Sequence, residues 1–127
     1  MEAPHHYLLI VGDGTAGGPE LLARVRRRVI HSPCRFTLVV PGPECPSRHA
    51  LREALPRLEE VAQGPVEGEV GPADAVQAAE EAMDRRHFDE VIVATADEPA
   101  SDWLSHDVPG RIARRDVPVA VVVAQAA

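Results

Sequence analysis

The chain contains no lysine and no asparagine, and its 127 residues include only two cysteines and four aromatic side chains. Each scarcity excludes something. All 13 basic residues are arginine, so any mechanism that needs a lysine is ruled out, whether a P-loop or a Schiff base. The aromatics Tyr7, Phe36, Phe88 and Trp103 are too scattered to form a base-stacking platform. Acidic residues outnumber basic ones by 20 to 13, a net charge of −7, which is the wrong sign for a sequence-independent nucleic-acid binder. Cys34 and Cys45 stand in no metal or redox spacing, and two free thiols are expected. No run of 18 apolar residues occurs, so no membrane span is expected. The opening Met1-Glu2-Ala3-Pro4-His5-His6 lacks the basic-then-apolar order of a signal peptide, and a cytoplasmic location is the expectation.

What is present is an ordinary globular composition, 45% hydrophobic and 26% charged. A chain this long buries about two-thirds of its unfolded surface, enough for one domain over residues 1–127. Four short apolar runs, Tyr7–Val11, Phe36–Val40, Val91–Ala94 and Val119–Ala124, lack alternation and suit strands buried on both faces. Val66–Val70 alternates and carries glutamates, which suits an edge strand. Between them, Glu20–Ile30 and Asp74–Arg86 carry helical apolar stripes, with Leu21, Leu22, Val25, Val29 and Ile30 expected on one face of the first. Ser47 can cap a third helix running to about Ala62, with a kink or break at Pro56. A last helix, capped by Asp107, should end at Arg114-Arg115. Strict alternation of strand and helix implies a three-layer α/β/α domain around a parallel sheet.

Gly12-Asp13-Gly14-Thr15-Ala16-Gly17 fits G-x-G-x-x-G between a strand and a helix, the context of a dinucleotide fingerprint. Asp13 opposes phosphate there, however, and Gly17-Gly18-Pro19 delays the helix. The acids Asp97, Glu98, Asp102 and Asp107 with His106 match no known metal loop, and an exposed acidic loop is expected. Ser101, Ser105, Thr95, His106 and Asp107 share one stretch, whereas a hydrolase triad is assembled from separated elements. The cluster Arg24 to Arg28 spreads over more than one helical face, and a solvated surface is expected.

The chain resembles the universal stress protein family from end to end. Leu9-Ile10-Val11-Gly12-Asp13-Gly14-Thr15 resembles that family's first strand and its Val-Asp-Gly-Ser turn. Phe88–Thr95 resembles its fourth strand, and Arg111–Val122 its closing helix, proline turn and fifth strand. The resemblance implies a Rossmann-like five-stranded parallel sheet of order 3-2-1-4-5. It also makes Asp13, Gly14, Thr15, Val40, Ser105 and His106 the candidate nucleotide-site residues. ATP-binding members carry Gly-x-x-Gly after the fourth strand and a further glycine at the next helix start. Here no glycine stands between Gly71 and Gly110, and the four acids occupy that stretch. The expectation is therefore a non-enzymatic protein with no required cofactor, in which ATP or AMP is the alternative ligand. Residues 117–125 carry no charged side chain, and in the implied order they form a sheet edge. Edge physics and the resemblance both imply a homodimer through this strand.

Overall fold

The computed structural model describes residues 5–13, 17–42, 44–96, 103 and 106–124. The strands are β1 (His6–Gly12), β2 (Cys34–Pro41), β3 (Val66–Gly71), β4 (Glu90–Ala96) and β5 (Val119–Ala124). The helices are α1 (Pro19–His31), α2 (Glu44–Ala62), α3 (Ala75–Arg85) and α4 (Val108–Ala113). All four strand pairings are parallel, as the apolar runs implied, and the order is β3-β2-β1-β4-β5, as the resemblance implied.

The absence of alternation in the central strands follows from a sheet covered on both sides. Leu8 and Ile10 of β1, with Phe36, Leu38 and Val40 of β2, pack under Leu21 and Val25 of α1 and Leu51 and Leu58 of α2. The intervening Leu9, Val11 and Val39 pack with Val91 and Val93 under Ala79 and Ala82 of α3 and Val108 and Ile112 of α4. Among the described residues, no helix is long and apolar enough to cross a membrane.

Three local expectations meet a different outcome. Helix α2 starts at Glu44, so Ser47 is not its cap. It lies buried one turn in, where its Oγ donates to the carbonyl of Pro41 at 3.2 Å and ties the helix back to β2. Nor does Pro56 break the helix, which runs through to Ala62. Proline forfeits one backbone hydrogen bond. The buried Leu51, Ala54, Leu58 and Val61 on either side hold both halves against the sheet. Helix α4 also stops at Ala113, before the Arg114-Arg115 pair, and Arg115 instead reaches Asp84 and Glu80 of α3. Asp74 and Asp107 cap α3 and α4 through their carboxylates.

The two sheet edges differ. On β3, Glu67 pairs with Arg86 and Glu69 with Arg85, so the strand carries fixed charge along its length. On β5 no residue is charged, and Val121 is 42% exposed.

Candidate functional site

In an open parallel sheet, ligands settle outside the carboxyl ends of the strands where the strand order reverses. Here β1 leads to β2 on one side and β3 leads to β4 on the other, so the reversal falls between β1 and β4. Asp13 stands at this point. Its backbone N–H donates to the carbonyl of Ala94 at 3.2 Å, fixing it beside the end of β4. Thr95, the next residue of β4, is buried. His106 is exposed in the turn before α4. Val40 is buried with its side chain in the core beneath α1 and α2, so only its backbone is near this rim. Gly14, Thr15 and Ser105 lie outside the described residues, as do Asp97, Glu98 and Asp102.

Of the four acids, Asp107 is in the described region, and its carboxylate is engaged. Oδ1 accepts the N–H of Gly110 at 3.2 Å, the cap of α4. It acts as a helix cap rather than as a free charge over the cleft.

A cleft of about 580 Å³ opens on the same rim, between the start of α1 and the first turns of α2. Gly17, Gly18, His49, Glu53 and Arg57 are among its lining residues, and Ala124 at the end of β5 closes it. Arg57 Nη1 donates to the carbonyl of Gly17 at 3.3 Å and so anchors the loop after β1 to α2. Sequence reading missed Arg57, because the two partners are 40 residues apart and no motif links them. His49 Nε2 lies 3.5 Å from Glu53 Oε1 one helical turn away. A smaller cavity of about 140 Å³ lies on the α3 side of β3, walled by its two arginine–glutamate pairs. Thr37 supplies the one hydroxyl of its lining, whose strand residues come from the middle of β2 and β3 rather than from the rim at Asp13.

The opposite rim is a structural clasp. Arg28 grips Glu90 with Nε and Nη2, both at 3.2 Å, while its Nη1 donates to Ser32 Oγ at 2.8 Å. The Glu90 hydrogen bond raises the Arg28 pKa above its ordinary value. Burial pushes the neighbouring Cys34 thiol up, which disfavours the nucleophilic thiolate. Cys34 and Cys45 are both free. Asp89 accepts the backbone N–H of Tyr7 at 2.8 Å and faces His87 Nε2 at 2.9 Å. The Tyr7 hydrogen bond, then that of His87, holds its carboxyl below the usual carboxylate range. A pKa lowered by folding contributes stability above the unfolded value of about 4, and that contribution is lost as pH falls through the folded value. Denaturant titrations from pH 6 down to about pH 2 should therefore show a shallower loss of stability for Asp89→Asn than for the wild type. Parallel curves would mean that the clasp carries no net ionisation energy.

No family model matches the chain, and no curated protein matches it significantly. The described architecture defines a class, the parallel three-layer α/β domains with a strand reversal beside β1. Within that class, the chain is similar to a solved universal stress protein in complex with cAMP, with a TM-score of 0.60 and 21% identity. The match covers 98% of this chain and 100% of that one. The fold is that of a universal stress protein, as the resemblance implied.

Proposed function

We propose that the chain acts as a universal stress protein-like, non-enzymatic stress-response protein of the cytoplasm, working as a homodimer joined through residues 117–125. The observation that carries the dimer is the contrast between the sheet edges. Natural edge strands guard their unpaired backbone groups with charges, bulges or cover. Strand β3 is guarded in this way, with Glu67 and Glu69 held by Arg86 and Arg85. Strand β5 has no charge, and Val121 exposes 42% of its surface. Two-fold antiparallel pairing with a second β5 would satisfy the free N–H and C=O groups and close the assembly.

Alternate residues of β5 have different surroundings, which selects the variant to test. Val122 packs toward the α1 and α2 core and Val119 toward that of α3 and α4, whereas Val121 is the exposed one. Light scattering behind size exclusion should give twice the chain mass for wild type at about 50 μM, and the monomer mass for Val121→Lys. A monomeric wild type, or a dimeric Val121→Lys, would refute the β5 interface.

A second reading is supported by the strand reversal at Asp13 and by the cAMP held by the structural neighbour. A cyclic nucleotide has a single phosphate, so it makes less demand on a phosphate loop than a triphosphate does. Calorimetry should show cAMP binding more tightly than Mg-ATP, with Mg-ATP weaker than about 100 μM, or about −5.5 kcal/mol. Asp13→Ala should weaken whichever ligand binds. Low-micromolar Mg-ATP would show that the acids leave the phosphate path open.

A further inference from the structure

Helix α1 presents an outer face unlike the rest of this acidic chain. Ala23 and Ile30 are seven residues apart, so they align along the helix axis, and both are exposed. Ile30 is 75% exposed, the most exposed large apolar side chain among the described residues. Arg26 flanks this short apolar seam on one side, and Arg24, Arg27 and His31 flank it on the other. Arg24, Arg27 and His31, together with Arg28, line a groove of about 260 Å³. Arg28 is already committed to Glu90 and Ser32. Arg24, Arg26 and Arg27 make no hydrogen bond or ion pair among the described residues, in contrast to Arg85, Arg86 and Arg115 on the other face of the sheet. The only acid on the helix is Glu20, in its first turn.

An exposed isoleucine ringed by unpaired arginines is a surface on which a helix with an apolar residue among carboxylates can settle, the flanks choosing the partner by charge. The geometry points to α1's outer face as a docking surface for an acidic amphipathic helix of a partner protein. Its apolar stripe would cover Ala23 and Ile30, and its carboxylates would meet Arg24, Arg26 and Arg27. A two-fold contact of this face with itself does not fit, because two arginine-rich faces repel. An anionic membrane fits poorly, because two apolar side chains offer little to insert and the net charge of −7 opposes approach. The sequence alone implied a solvated surface here. The exposed Ile30 and the unpaired arginines beside it support the docking reading instead. Helix α1 neighbours β5 in the fold, so a variant at the β5 edge is needed as a control.

The probe is a labelled 21-residue helical peptide with leucine at heptad positions a and d and glutamate at e and g, followed by fluorescence anisotropy. Its control carries lysine in place of glutamate. Wild type should bind the acidic peptide with a Kd of about 50 μM and leave the basic one unbound. Arg24→Glu with Arg27→Glu should weaken binding at least about tenfold, and Ile30→Ser about threefold. All these side chains are exposed, so melting curves should be unchanged. Val121→Lys should bind as wild type does, which separates failure of this surface from failure of the dimer. The proposal is overturned if the acidic peptide does not bind at about 1 mM, if the basic peptide binds equally, or if the α1 variants bind normally. It is equally overturned if phosphatidylserine vesicles bind and the peptide does not.

Discussion

Ile10→Ala should destabilise the protein by about 3 kcal/mol, within the usual range of about 2–5 for removing a fully buried aliphatic side chain. Ile10 is at the middle of the central strand and has no exposed surface. Its register partners are Leu38 on β2 and Ile92 on β4, and its side chain points into the layer held by α1 and α2. Strands on both sides limit how far the backbone can collapse into the space left behind, so the cavity penalty adds to the lost transfer energy. A domain of this size has only about 5–15 kcal/mol in total, so the loss is a large fraction of it. Ile30→Ala is the control. The same deletion at a 75% exposed position should change stability by less than about 0.5 kcal/mol. Urea denaturation followed by circular dichroism resolves the two. A cost below about 1.5 kcal/mol for Ile10→Ala would contradict the packing of the central layer.

The same pair of isoleucines marks what could be read in the sequence. Ile10 sits in an unbroken apolar run, and such a run at strand length forces a two-sided core. The parallel sheet and its charged edge strand could therefore be argued from the residues, whereas the strand order came from the family resemblance. Ile30 ends an amphipathic helix, and its apolar side chain suggests the inner stripe with Leu21 and Val25. At about 100° per residue it lies roughly opposite Leu21, and the structure exposes it. Ser47 is a similar case. Its type signalled a cap, but its hydroxyl satisfies Pro41, a partner fixed by the path of the chain between β2 and α2. The rim at Asp13 was legible because it belongs to a motif next to a strand end. Arg57 was not, because its contact with Gly17 joins two segments that only the tertiary fold brings together.

Gly110→Ala should destabilise the protein by about 1 kcal/mol, although alanine is the better helix former by up to about that amount. The reason lies at the start of α4. Asp107 caps the helix from a left-handed backbone conformation, φ 51° and ψ 48°, and its carboxylate folds over Gly110. A Cβ on residue 110 would press against Oδ2 and lie 2.7 Å from both Cγ and Oδ1. The carboxylate would have to leave, and the cap is worth about 0.5–2 kcal/mol. Strain and lost cap together outweigh the propensity gain. The balance reverses once the carboxylate is absent. Asp107→Gly removes the obstruction, suits a left-handed φ and costs only a few tenths of a kcal/mol as a cap. In that background Gly110→Ala should stabilise, by about 0.5 kcal/mol. Thermal melts of the wild type, both single variants and the double variant form the cycle, and the expected result is a change of sign between backgrounds. If Gly110→Ala destabilises equally in both, the constraint at residue 110 is its backbone and not the Asp107 carboxylate.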